Sequence, residues 1–303
     1  MANTVDADLY GKIVGENALR IFQAALKPLS AFSTDFSDEL GVRNQSIVVP
    51  LTANPTDAAD KTAGSAYTIQ DTTVSEKTVS LDSHKYLSWY VTDNDVSTSR
   101  FLSVQNVGIE KGQNLAIDVF QDIASAWTNA NYGAAAFTGA ASTFDHDDVI
   151  DLQTTADTAN WPEMDGQRHL LLSPSYYNAI FKDAVVGADV YGAALVAKGE
   201  VPELAGFRVH KCNAIPANSE HGKNLVGIMS RPNAMAIVNR YLAPAGGGQA
   251  GSIYNSFTHP ETGLTIGYRE WYDDSIGARK ALLECWYGYS VGVAAGAERL
   301  VSA

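Results

Sequence analysis

Residues 101–131 constrain this chain more than any other stretch. Leu115, Val119, Ile123 and Trp127 recur at every fourth position, with Ala116, Phe120 and Ala124 as an adjacent row. That spacing is the stripe of one helix face and not the alternation of a strand. Upstream, Leu102, Val104, Val107 and Ile109 extend the pattern, Ser97 and Ser99 offer caps, and Asn131, Tyr132 and Gly133 supply a stop. A continuous helix over these residues would reach about 45 Å at 1.5 Å per residue, well beyond the mean globular helix of roughly 11 or 12 residues. Gly108 and Gly112 weaken its first half by about 1 kcal/mol each relative to Ala, so packing must hold it there, and they mark where it could bend. A rod of this kind needs an apolar surface to lie on. The best candidate is a long aromatic strand over residues 280–293, with Leu282, Leu283, Cys285, Trp286, Tyr287 and Tyr289.

The remaining chain supplies shorter pieces. An amphipathic helix starts near Asp6, a good N-cap, carries Val14, Ala18, Ile21, Phe22, Ala25, Leu26 and Leu29 on or near one face, and ends at Pro28. It is either an ordinary core helix or an arm lying on a neighbouring subunit. Over residues 41–80 the composition turns to Thr, Ser, Asp and Ala. Strand-like runs at 46–51 and 67–79 flank a polar tip at 53–65 with Pro55, Asp57, Asp60, Lys61 and Gly64, which reads as a long two-stranded hairpin. Isolated ribbons are marginal in water, so this one is expected to rest on another molecule. Leu81, Tyr86, Leu87, Trp89 and Val91 suggest a strand that turns at residues 92–95 into the long helix.

After Gly133 comes a small-residue connection, then a helix start at residues 145–148. His169 to Leu172 forms a short apolar strand, and Ser173 and Pro174 open another helix as N-cap and first helical residue. Residues 200–216 read as strand and turn. Residues 225–229 and 234–238 read as short buried strands separated by the turn Ser230, Arg231, Pro232 and Asn233. Strands alternating with short helices make this middle third an α+β or α/β unit. The tail is strand-rich, with a hairpin turning at Glu261, Thr262 and Gly263 ahead of the aromatic strand.

Charge narrows the function classes. With 21 basic and 34 acidic residues the net charge is -13. That balance disfavours nonspecific duplex binding, which neutralises phosphates with Lys and Arg, so any relation to nucleic acid would be containment without adhesion. No run approaches the ~18 consecutive apolar residues of a membrane span, and no secretion signal is recognisable, so a soluble protein with no membrane partner is expected. Cys212 and Cys285 fit no metal spacing and read as free thiols.

The motifs that resemble chemistry lack their context. Gly288, Ser290 and Gly292 match GxSxG, yet no His follows Ser290 to complete a triad, and small residues in a closely packed strand explain the pattern. Gly246, Gly248 and Gly251 match GxGxxG without the strand-to-helix turn a dinucleotide needs. Asp145, His146, Asp147 and Asp148 suit a helix cap better than a cation. Asp82, Ser83 and His84 are neighbours on a strand and point to opposite faces. His169, His210, His221 and His259 are scattered singly, out of metal-ligand spacing. No catalytic residue, cofactor or metal is assigned.

The order of these parts carries a resemblance: helical arm, polar hairpin, strand, single long helix, α/β middle unit, strand-rich tail. Local runs agree with it, namely Leu171, Leu172, Ser173, Pro174, Ser175, Tyr176, Tyr177; Leu204, Ala205, Gly206, Phe207, Arg208, Val209; and His259, Pro260, Glu261, Thr262, Gly263, Leu264. The chain resembles the HK97-fold major capsid proteins of tailed double-stranded DNA bacteriophages. The resemblance implies an α+β fold divided into an N-arm (1–40), an E-loop hairpin (41–80), a P-domain with a spine helix at about 101–131 (81–142), an A-domain (143–250) and a strand-rich return (251–303). It implies pentamers and hexamers in an icosahedral shell around double-stranded DNA, with a portal protein and a separate scaffolding protein, assembled in the bacterial cytoplasm and located in the virion. Asn54, Asp57, Asp60, Lys61 and Lys77 are the expected subunit-interface residues. Lys61 and Lys77 have no matching Asn, so no cross-link is expected. An encapsulin-type compartment shell is the alternative, and a hydrolase using Ser290 a remote one.

Overall fold

A computed structural model describes residues 7–52, 60–67, 74–98, 104–163, 165–182, 203–216, 223–242, 252–260 and 262–303. The chain runs through α1 (Ala7–Leu26), β1 (Ser33–Leu40), β2 (Ser46–Thr52), β3 (Val74–Ser80), β4 (Ser83–Thr92), α2 (Asp93–Thr98), α3 (Val104–Ala124), α4 (Asn129–Tyr132) and β5 (Ala135–Thr138). It continues through α5 (His146–Thr158), β6 (His169–Leu172), α6 (Pro174–Lys182), β7 (Glu203–Leu204), β8 (Phe207–Lys211), β9 (Leu225–Ser230), β10 (Met235–Tyr241), β11 (Ile253–Thr258), β12 (Thr265–Asp273), β13 (Ala278–Val291) and β14 (Ala297–Val301).

The stripe on α3 lies on the chain's own sheet, as its spacing predicts. Leu115, Val119, Phe120 and Ile123 share one buried cluster with Leu283, Cys285 and Tyr287 of β13 and Tyr268 of β12. Burial of side chains of this size contributes about 1.5–3 kcal/mol each. The Tyr287 hydroxyl donates to the Asp122 carboxylate of α3 at 2.6 Å, which pins helix to strand. α1 packs along the other side of α3 with Ala18, Leu19, Phe22 and Leu26 buried, so it is the core helix of the two alternatives its sequence allows. Its Asp6 cap lies outside the described residues.

One expectation for the long helix needs correction. It is shorter than 101–131: α3 stops at Ala124, turns follow, and α4 occupies Asn129–Tyr132. The turn carries Trp127 into the core at 0% exposure, between Phe32 and Phe120 with ring centroids 5.6 and 5.8 Å away. The Asn131 amide donates to the Ala126 carbonyl at 2.7 Å and holds that turn. Residues 101–103 lie outside the described residues. α3 runs through Gly108 and Gly112, and Gly112 is a point of close approach where packing holds the helix, as expected: a Cβ there would sit 3.1 Å from the Ala18 carbonyl oxygen of α1.

The first sheet has the order β1-β10-β13-β12-β11, with β4 on the other side of β13. Along one edge β13 changes partner, pairing with β12 up to Glu284 and with β10 from Trp286. Asn239 fills the fork: its amide donates to the Trp286 and Thr265 carbonyls at 2.8 and 3.1 Å, and its oxygen accepts from the Thr265 amide at 2.7 Å. A buried side chain thus replaces ladder bonds that the parting strands cannot make.

The second sheet has the order β5-β14-β9-β6-β8-β7 and packs with α5 and α6 around Phe144, Val149, Leu152, Trp161, Leu170, Leu172, Tyr177 and Ile180. Asp145 caps α5 with its side chain accepting from the Asp147 and Asp148 amides, and Asp148 reciprocates on the Asp145 amide. That capping box is why the acidic run sits there. Pro174 is the first residue of α6, as read from the sequence. Ala205 and Gly206 take left-handed φ of 48° and 73° in the turn between β7 and β8, the backbone of a two-residue hairpin.

The turn at residues 230–233 is not a link inside the middle unit. It leads from β9 in the second sheet to β10 in the first, and the tail crosses back from β13 to β14 beside it. The two crossings are joined by backbone bonds from Gly292 to Ala234, Val293 to Asn233 and Arg231 to Gly296, at 2.9, 2.9 and 2.8 Å. Three further strands have no sequence forecast: β1, parallel to β10; β5, inside the small-residue connection; and β14, parallel to β5 and antiparallel to β9. The expected turn at 92–95 is the start of α2.

Candidate assembly surfaces

The hairpin is present, with β2 and β3 antiparallel from Ser46↔Ser80 to Thr52↔Val74. Its base does not wait for another molecule, which corrects the expectation from composition. Val49, Leu51, Val79 and Leu81 bury against Ala236 and Val238 of β10. Gly288 makes this possible: a Cβ there would stand 2.1 Å from the Ser80 carbonyl oxygen. The described part of the tip is different. Lys61 places its ammonium 4.2 Å from the Tyr67 ring centroid and donates to the Ser65 carbonyl, while Ser65 donates to the Thr62 carbonyl at 2.8 Å. Tyr67 is 84% exposed. Asp60 and Lys61 are exposed, and Lys77 is half-buried on β3 opposite Val49. The structure brings Asp60 and Lys61 together and holds Lys77 apart on the strand. Asn54 and Asp57 lie outside the described residues, as do residues 68–73 of the expected second strand.

The GxSxG run belongs to β13. Ser290 faces Ala236 in register, and a crossing follows it instead of a helix. Gly292 lies against the Asn233 carbonyl, where a Cβ would approach to 2.3 Å. Both glycines are packing residues, as their small size suggests. Gly246, Gly248, Gly251 and His221 lie outside the described residues. Ser83 donates to Asp82 at 3.2 Å whereas His84 turns to Glu284, also at 3.2 Å, so these neighbours form no relay. Burial pushes the Cys285 thiol up to about 12 and Cys212 higher still, which leaves both protonated. Among the described residues no group of three or more His, Cys, Asp or Glu could hold a metal ion. One expectation about histidines fails. His169 and His210 are not scattered singly but lie 3.1 Å apart, because β6 and β8 are parallel neighbours.

A second surface escaped the motif search. On the face of the first sheet turned away from α3, β4 presents His84, Tyr86 and Tyr90, and the register sets them beside Trp286, Glu284 and Lys280 of β13. Tyr86 and Tyr90 are 58% and 62% exposed. His84 stacks on Trp286 with centroids 4.1 Å apart. Glu284 is buried and takes Arg269 at 2.6 Å, so the charge at the floor is paired. His84, Tyr86, Arg269, Glu284 and Trp286, with Tyr254 and Trp271, line a cleft of about 380 Å³. The alternation His84, Tyr86, Ser88, Tyr90 was the available signal, since a strand with polar aromatics on one face is half-solvated.

No protein-family model matches the sequence, and no curated protein matches it. Solved structures do match the fold. A capsid structure of the cyanophage P-SCSP1u aligns over 90% of this chain and 86% of that one, with TM-score 0.54 and 15% identity. The asymmetric unit of the bacteriophage PhiM1 mature capsid gives 0.52 at 12% identity, covering 90% and 85%. A virus-like particle from Pyrococcus furiosus gives 0.51 at 11% identity, covering 96% and 99%. The chain has the HK97-like capsid fold. At these identities the likeness is one of fold, and it agrees with the α+β, HK97-like expectation from the order of parts. The HK97-like fold also gives each piece a place: a helix α3 backed by one sheet, a second sheet reached by two adjacent crossings, and a hairpin that leaves the first sheet. Among the described residues, no helix is long and apolar enough to cross a membrane.

Proposed function

We propose that this chain is the major shell subunit of a tailed double-stranded DNA bacteriophage, assembling as pentamers and hexamers into an icosahedral capsid. The observation that carries this reading is the HK97-like fold over nine-tenths of the chain, since the structures that share it include a cyanophage capsid and a mature phage capsid. In this reading residues 1–40 form the N-arm, 41–80 the E-loop, 81–142 the P-domain, 143–250 the A-domain, and 251–303 the return through both. The hairpin tip, with Asn54, Asp57, Asp60 and Lys61, and Lys77 on its strand, contacts a neighbouring copy. The subunit is no enzyme and uses no cofactor. A separate scaffolding protein directs assembly in the host cytoplasm, a portal protein occupies one vertex, and the finished virion holds the genome. The net charge of -13 suits a wall past which packed DNA slides.

A second reading has its own support. The Pyrococcus furiosus virus-like particle covers 96% of this chain and is itself covered to 99%, so a cellular compartment shell fits the same fold. Negative-stain microscopy of the protein expressed with and without a scaffold tests both readings, which expect closed particles. Nuclease-protected DNA in native particles supports the virus, and packaged protein supports the compartment. Monomers under every condition would overturn both.

A further inference from the structure

His169 and His210 form a cluster for which a shell has no evident use. The register sets His169 beside Arg208 and Leu171 beside His210. Their rings stack with centroids 5.3 Å apart, and Nδ1 of His169 lies 3.1 Å from Nε2 of His210. That contact occupies one nitrogen of each ring. Among the described residues, Nε2 of His169 and Nδ1 of His210 have no hydrogen-bond partner.

The surroundings are cationic. Arg208 on β8 and Lys27, in the 3₁₀ turn after α1, are both exposed, and neither takes part in any ion pair among the described residues. Several other arginines behave differently: Arg231, Arg240, Arg269 and Arg279 each hold a carboxylate, and Arg299 donates to the Gly133 carbonyl and the Asn129 side chain. Two acids face the cluster. Asp165 acts on His169 but is itself held by Arg231 at 2.7 Å. Glu203 stands opposite Arg208 in the β7–β8 register, exposed, and makes no ion pair with it. From β9 the partner of His169 is the neutral Ser230. The charges that act on His210 are Lys27 and Arg208, both positive.

We propose that Lys27, Arg208 and the His169–His210 pair form a binding site for a phosphate group. The Arg fork and the Lys ammonium supply charge and donors to a tetrahedral oxyanion, and each imidazole adds a donor through its other nitrogen once protonated. Burial first, then His210 and Arg208 at His169 and Lys27 and Arg208 at His210, push both imidazoles down to about 4. A bound anion opposes both effects, so binding takes up protons and tightens as pH falls from neutral. The phosphate belongs either to a nucleic-acid backbone or to free phosphate. Only the nucleic-acid source rests on the shell reading.

The test uses the full chain, as subunit or particle, with ¹⁵N-labelled histidines. It is titrated at constant ionic strength in chloride, once with inorganic phosphate and once with a short DNA duplex. We expect the His169 and His210 ring signals to move with at least one probe. For the duplex, whose phosphodiesters do not titrate in this range, affinity should rise about fivefold or more between pH 7.5 and 5.5. The double substitution Lys27→Gln with Arg208→Gln should weaken binding about tenfold and lower the salt slope for the duplex by about 2. A response to phosphate alone assigns the site to the free ion, to duplex alone to the backbone, and to both to phosphate in general. Ring signals unmoved by either probe, or undiminished binding in the double variant, would overturn the proposal. The wild-type titration stands whether or not the variant folds. Microscopy of the variant's particles, read separately, tells loss of this site from failure of the shell.

Discussion

Helix α3 and the β2–β3 hairpin are the two long elements attached to the first sheet, and they differ in how their own chain finishes them. The α3 stripe is covered by β13 and β12 on one side and α1 on another. Among the described residues the hairpin is covered at its base, where Val49, Leu51 and Val79 meet β10, while Lys61 and Tyr67 at the tip stay exposed. Polar contacts divide the same way. Asp122 of α3 holds Tyr287 across the core, whereas the Lys61 ammonium of the tip meets, among the described residues, the Tyr67 ring and Ser65 beside it. One element stabilises the subunit. The other has surface to spare for a second molecule.

Substitutions break or sharpen that contrast, beginning with the largest effect. Trp127→Ala, at a fully buried ring, should destabilise the subunit by about 3–5 kcal/mol in denaturant unfolding. Tyr67→Ala should stay within about 0.5 kcal/mol, as an exposed position does. Equal losses at the two sites would erase the distinction.

Acid should act through the second sheet. Both imidazoles of the His169–His210 pair are pushed from 6.5 to about 4 in the folded chain. The unfolded chain therefore binds more protons between those values, and stability falls as pH drops from 6.5 towards 4. After discounting for the partial exposure of His210, the loss is on the order of 2 kcal/mol. Unfolding followed across that window should show it vanish in a His169→Gln, His210→Gln variant that still folds.

Gly288→Ala should cost about 1–3 kcal/mol by overpacking the hairpin base against β13, whereas Ser290→Ala leaves any esterase background unchanged. Asp145→Ala, which removes the capping box, should cost about 1 kcal/mol. A smaller loss at Gly288 than at Asp145 would mean that the hairpin base yields easily and is not part of the core.

The sequence made some of this contrast legible. The four-residue spacing on α3, the apolar run of β6 and the Pro174 start of α6 are local signals, and each appears where its pattern predicts. Other parts depend on partners distant in sequence. Strand β1 is mostly polar and partly exposed because it lies at a sheet edge, so it has no alternation to read. The turn at residues 230–233 has the composition of any tight turn, and nothing local says that it changes sheets. The His169–His210 contact arises from a parallel register spanning 41 positions, beyond any motif spacing. At the hairpin, composition announced a polar ribbon correctly but hid its docked base, since Val49, Leu51 and Val79 could equally serve a neighbour.

The central claim is that the hairpin tip serves assembly and not the fold of the subunit, and deletion of residues 54–64 tests it most directly. Sedimentation and microscopy of the deletion beside the wild type, each with a scaffold, should show wild-type particles and a deletion that unfolds like wild type yet sediments near the 32.4 kDa of one chain or as small oligomers. Particles formed equally well by the deletion, or a deletion that no longer folds, would contradict it.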